Sequence, residues 1–265
     1  MTKILNNLCK IFFIITFCLS CFTMNSDKLF GYLNNQGTVF ILIKLSLVFV
    51  IVFISGLVNR KNISFITKFE PKAIIIITIV LIFDYYITQF SGSNFLYRVW
   101  WIAAVFIAQG ALFLSMSIFK NDKYNDFYKH FWYGFTPLYL FTLIICFLRN
   151  PFHGGRTMNT VPFHGTFLML KAFVNDINVS FEAPLIFFGN LLIFVPLPFI
   201  LFSFLKKAKP IYIVLIGFIT PIIIEGYQYV FSCGDVDIDD LILNWAGFFI
   251  GFALQRIIYK KFLKN

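Results

Sequence analysis

Three stretches, Asn190-Leu-Leu-Ile-Phe-Val-Pro196, Glu225-Gly-Tyr-Gln228 and Asp237-Ile-Asp-Asp240-Leu-Ile-Leu-Asn244-Trp-Ala-Gly247, decide how this chain is read. Their flanks are as apolar as a bilayer, yet they carry amides and acids. Such groups are costly in lipid unless they meet one another or line a cavity. The apolar flanks therefore define the fold, and the embedded polar residues mark a site.

Working outward, the whole chain has the same character: 59% of its 265 residues are hydrophobic, 20% aromatic and only 13% charged. That composition excludes a soluble globular domain. Apolar stretches of roughly 20 residues, the length a helix needs to cross the hydrocarbon core, recur at about Thr38 to Val58, Lys72 to Phe90, Val99 to Phe119, Phe131 to Leu148, Pro184 to Leu205, Ile211 to Phe231 and Leu241 to Ile258. An eighth, from Ile11 to Met24, is short and follows Lys3 and Lys10, a pattern shared with signal peptides. It is predicted to be a retained helix, because no small-x-small cleavage pattern follows it and Cys21 lacks a lipobox. The predicted fold class is all-α: a polytopic integral membrane protein of about eight transmembrane helices, multi-pass in the cell membrane, with cytoplasmic N- and C-termini.

The net charge of +10 does not form a patch of the kind that binds nucleic acid, and no nucleic-acid partner is expected. The basic residues alternate between loops instead. Of the 22 Lys and Arg residues, sixteen fall on one side of the predicted spans, five (Lys28, Arg98, Arg149, Arg156 and Lys171) on the other, and Lys44 within a span. This bias makes the first side cytoplasmic. Asp27, Asp176, Glu182, Asp235, Asp237, Asp239 and Asp240 all fall on the outer side, which is read as the functional face. Five cysteines, only Cys233 among them near the outer surface, give no disulfide framework.

Polar residues subdivide the chain into an N-terminal four-helix membrane region, 1–130, and a C-terminal membrane domain, 131–265. In the first, Lys44 and Asp84 lie at matching depth, roughly 9 Å below the outer helix ends at 1.5 Å per residue. They are expected to pair as a structural link between neighbouring helices. In the second, Asn190, Glu225, Gln228 and Asn244 share the outer leaflet. Glu225 with Gln228, Asp237 with Asp240, and Asp240 with Asn244 stand at i,i+3 or i,i+4, so each pair shares a helix face. Pro196, Pro198 and Pro221 each remove a backbone donor and predict bends that open an outward cavity.

Other readings of these residues stand beside that one. One or two of the four acids from Asp235 to Asp240 suffice to cap the last helix and complement its dipole. Asn190 and Asn244 also suit interhelical hydrogen bonding, and Gly247-Phe-Phe-Ile-Gly251 is a small-xxx-small surface for close helix packing. A calcium loop is rejected, since Asp240 stands where the sharp-turn Gly belongs and Ala246 where the last Glu belongs. The outer segment adds Arg156-Thr-Met-Asn159-Thr-Val-Pro162-Phe163, with His153 and His164 beside it. Arg156 suits either a ligand's phosphate or carboxylate or the neutralisation of Glu225 or Asp240. Two histidines without a third ligand at diagnostic spacing do not predict a metal site, and no cofactor fingerprint is present.

Taken in order, Arg-x-x-Asn-x-x-Pro-Phe from Arg156 to Phe163, the helix from Asn190 to Pro196, Glu225-x-x-Gln228, and the run from Asp237 through Asp239, Asp240 and Asn244 to Gly247 resemble the VanZ-like family over about residues 131–262. Two positions depart from its pattern: Gly234 stands where an Arg is usual shortly before the acidic run, and Pro198 replaces a Gly. The resemblance implies a bacterial envelope protein, of a family whose named member is associated with resistance to the lipoglycopeptide teicoplanin. The candidate cluster is Arg156, Asn159, Asn190, Glu225, Gln228, Asp237, Asp239, Asp240 and Asn244, with the bilayer and an amphiphilic or lipid-linked envelope ligand as partners. The expected role is non-enzymatic binding or exclusion of that ligand. The alternative is an enzyme acting on a lipid-linked envelope precursor, with the acids as a divalent-metal or acid/base centre.

Overall fold

The computed structural model describes residues 2–22, 37–89, 95–118, 124–147, 158–167, 182–231 and 236–260. Nearly all of them are helical: α1 (Thr2–Phe22), α2 (Gly37–Val58), α3 (Ile63–Gln89), α4 (Phe95–Ser117), α5 (Tyr124–Phe147), α6 (Glu182–Ile193), α7 (Pro196–Phe204), α8 (Pro210–Phe231) and α9 (Ile238–Ile258). A 3-10 turn at Arg60–Asn62 and two short strands, β1 (Met158–Asn159) and β2 (Val236–Asp237), complete the set. Over its described residues each apolar stretch expected to be helical is helical, apart from a break in the stretch from Pro184 to Leu205. Among the described residues, three are long and apolar enough to cross a membrane: Phe187–Phe204, Pro210–Phe231 and Ile238–Ile258, with mean hydropathies of 2.1, 1.8 and 1.6. This is an all-α membrane protein.

Some boundaries differ from expectation for physical reasons. Helix α3 starts at Ile63 rather than Lys72 and runs through Pro71; Lys68, Glu70 and Lys72 interrupt the apolar run without interrupting the helix. The stretch from Pro184 to Leu205 is two helices, α6 and α7, because Pro196 opens a new first turn as the chain leaves α6. Helix α8, by contrast, continues unbroken through Pro221.

The chain divides into two compact units, residues 1–138 and 139–264. In the first, α2 packs chiefly on α4, and α1 packs on both. A Cβ added at Gly56 would sit 2.0 Å from Ser115 Oγ, so only glycine permits this approach of α2 to α4. Helix α1 is tied to α2 by hydrogen bonds from Asn59 Nδ2 to the Cys9 carbonyl (2.9 Å) and from Thr16 Oγ1 to Ser55 Oγ (3.0 Å). Phe13 and Phe17 meet Phe69 of α3 edge-on.

In the second unit α9 is central and packs on α6, α7 and α8. The small-xxx-small reading holds here. A Cβ at Gly247 would fall 1.9 Å from the Leu191 carbonyl oxygen, and one at Gly251 would fall 2.1 Å from that of Val195. On the α8 side, Trp245 stacks on Phe218 at 4.4 Å between ring centroids and donates its indole N–H to the Phe218 carbonyl at 2.9 Å. Gly217 receives the Phe248 ring, whose Cε2 would lie 2.0 Å from an added Cβ. Phe248 thus fills the space beside Gly217, one turn before Pro221.

Candidate functional site

The acidic run begins where β2 meets α9. Asp237 is the N-cap of α9: its carboxylate accepts the Asp239 backbone N–H at 2.9 Å, satisfying a donor that has no partner within the helix. The strands β1 and β2 pair in parallel, with Asn159 opposite Asp237. Asn159 Nδ2 donates to the same Asp237 Oδ1 at 2.9 Å, while Asn159 Oδ1 accepts the Val161 N–H at 3.1 Å and turns the chain.

Asp239 completes this staple. Its carboxylate, only 4% exposed, accepts backbone N–H groups from Phe163 and from Thr166, the latter at 2.9 Å. Phe163 holds φ at 63°, a left-handed conformation uncommon for a bulky residue, and its bond to Asp239 holds it there. Gly165 sits over both acids. A Cβ there would lie 3.3 Å from Asp239 Oδ2 and 3.5 Å from Asp237 Oδ2. Sequence reasoning missed Gly165; its only signal was a glycine directly after the Pro162-Phe163-His164 turn.

Deeper in the same unit the pattern changes from satisfied to unmet. Asp240 interacts with Asp237 and Asp239 and is faced by the Asn190 amide of α6. Glu225 of α8 interacts with Asp240 and Asp237. Asn244, one turn beyond Asp240 on α9, is fully buried, and Glu225 and Asn190 are 7% and 9% exposed. Both carboxylate oxygens of Glu225, both amide atoms of Asn244 and Nδ2 of Asn190 lack a hydrogen-bond partner. The Asp237 backbone N–H faces Glu225. The apolar helices thus enclose one carboxylate, Glu225, and two amides with unmet hydrogen-bonding capacity, beside the half-buried Asp240.

Of the remaining candidates, Gln228 donates from Nε2 to the Phe147 carbonyl at 3.2 Å, closing the last turn of α5. His164 is exposed. Arg156 and His153 lie outside the described residues, as does the side chain of Asp84, the expected partner of Lys44. Among the described residues no three His, Cys, Asp or Glu side chains gather to hold a metal ion.

Fold and site together define a helical membrane protein with a polar cluster embedded at one end of an apolar bundle. Residues 135–259 match the family model described as VanZ/LLP1. The C-terminal half of the chain is accordingly similar to VanZ-like proteins, and the match takes in every residue of the candidate cluster. No curated protein and no solved structure matches the chain.

Proposed function

We propose that the chain is a multi-pass protein of the bacterial cell membrane, with about eight spans and cytoplasmic termini, that binds or excludes an amphiphilic ligand of the teicoplanin class at the outer leaflet. The observation that carries this reading is the set of unmet polar atoms on Glu225, Asn244 and Asn190 around Asp240. Leaving a buried polar group without a partner costs on the order of 1–3 kcal/mol, a cost that a ligand's donors and acceptors would offset. The basic bias between loops supports the orientation, and the VanZ/LLP1 match supports the envelope setting. In that orientation the staple formed by Asn159, Asp237 and Asp239 supports the rim of the site, and contact with a ligand's anionic part is the role proposed for Arg156.

The adjacency of Glu225 and Asp240 favours one second reading, acid-base catalysis on a lipid-linked envelope precursor. The two readings separate in a susceptible Gram-positive host expressing wild type, Glu225→Gln or Asp240→Asn at equal membrane levels, with inhibitory concentrations measured for teicoplanin beside vancomycin. A rise for the lipidated drug alone, lost in either variant, is the expected result. Unchanged inhibitory concentrations in every strain would defeat the ligand reading and leave a lipid-linked substrate to be sought.

A further inference from the structure

The first compact unit contains a cleft of about 550 Å³, lined from α3 by Ser64, Thr67, Lys68, Pro71 and Lys72 and from α5 by Asp126 and His130. None of these residues belongs to the cluster described above. The closed end is set by backbone contact: a Cβ on Gly134 would lie 2.6 Å from Pro71 Cα, so α3 and α5 touch there. The cleft lies mainly on the N-terminal side of that crossing.

Its lining has the chemistry of an anion site. Lys68 and Lys72 stand one turn apart, share a helix face and reach into the cleft against a single carboxylate, Asp126. His130 Nδ1 lies 2.7 Å from the Asp126 backbone carbonyl, which can only accept, so Nδ1 carries the hydrogen. Pro71 has no N–H, so the carbonyl of Thr67 loses its usual helical partner within the same lining. Asp126 and this carbonyl provide acceptors for a hydroxyl or ammonium carried next to a phosphate.

The surroundings favour one source for that phosphate. From one turn beyond Lys72, α3 presents an exposed apolar face, with Ile76 and Ile79 each 60% and Phe83 68% exposed. A charged head seated on the lysines would therefore have acyl chains running along α3. We propose that this cleft binds a phosphate group through Lys68 and Lys72, with a phospholipid headgroup as the source the apolar face favours. With the orientation proposed above, it would draw from the cytoplasmic leaflet.

Lysines at a membrane edge also orient helices without binding anything in particular, so the test must separate site from charge. Thermal unfolding of the full chain in neutral detergent is followed with added phosphatidylglycerol, phosphatidylcholine, glycerol 3-phosphate or inorganic phosphate. A phosphate-bearing probe is expected to raise the midpoint. The half-saturating concentration should rise about tenfold, the effect of roughly one lost charge-assisted contact, in Lys68→Gln/Lys72→Gln, return in Lys68→Arg/Lys72→Arg, and stay unchanged in Lys206→Gln/Lys207→Gln. Stabilisation by the lipids alone identifies a headgroup; an equal response to the water-soluble phosphates identifies a soluble anion. No response of the wild type to any of the four probes overturns the proposal. So does an equal response in wild type and Lys68→Gln/Lys72→Gln, or an equal loss in Lys206→Gln/Lys207→Gln.

Discussion

Asp239 and Asp240 are adjacent in the chain and do different work. Asp239 spends both oxygens on the backbone of the 158–167 segment, at Phe163 and Thr166. Asp239→Ala would leave both donors without their acceptor and is expected to cost about 2–4 kcal/mol, read as a lower denaturation midpoint and faster amide exchange in residues 158–167. Asp240→Asn keeps the side chain's shape and removes a charge that makes no such staple, so its expected effect falls on function and hardly on the midpoint. If the two variants shift stability equally, the division between staple and site is wrong. The sequence showed that the acidic run exceeded what a helix cap needs, and the N-cap role was legible in the step into α9. Which acid accepts which backbone donor was not legible, because those donors lie 73 and 76 residues away in the chain. Gln228 shows the same limit: helix periodicity placed it beside Glu225, while its contact with Phe147 depends on how α5 ends.

Among the elements, α9 carries the most constraint, since its glycine face lies directly against the carbonyls of Leu191 and Val195. Gly247→Ala would force a methyl to within 1.9 Å of a backbone oxygen that has no rotamer by which to retreat. Separation of α9 from α6 is expected, with a loss of about 3 kcal/mol or more, beyond the usual cost of overpacking because the obstacle is backbone. Steric trapping or thermal unfolding in detergent would measure it. Gly226, with open space around its would-be Cβ, is the control and should tolerate alanine with little change. The glycine spacing made this interface readable in advance, as Pro196 made the break between α6 and α7. The filling of the Gly217 position by Phe248 was not readable, since a proline in the pattern says that a backbone bond is lost and not which side chain moves in.

Across the whole chain, composition and the length of the apolar runs were sufficient for the fold class, because lipid tolerates few alternatives to the helix. Ends of helices were harder wherever charge met helical backbone, as at Lys68 to Lys72. The proposed topology rests on the distribution of Lys and Arg. Fusions of a fluorescent protein that matures only in the cytoplasm are expected to be bright at both the N- and the C-terminus. A dark fusion at either end would reverse or reduce the span count proposed here.

The pairing of Asn159 with Asp237 joins residues 78 positions apart, across everything from α6 to α8. A ribosome delivering this chain must therefore have made α6, α7 and α8 before this staple can close, and the loop-closure entropy of so long an interval must be met all at once. The staple that joins residues 158–167 to the start of α9 thus forms only after α8 has been made. Chains stalled between α8 and β2 would already hold Asn159 and Glu225 while Asp237, Asp239 and Asp240 were still missing. Assembly of the cluster therefore waits until β2 and the start of α9 have been made.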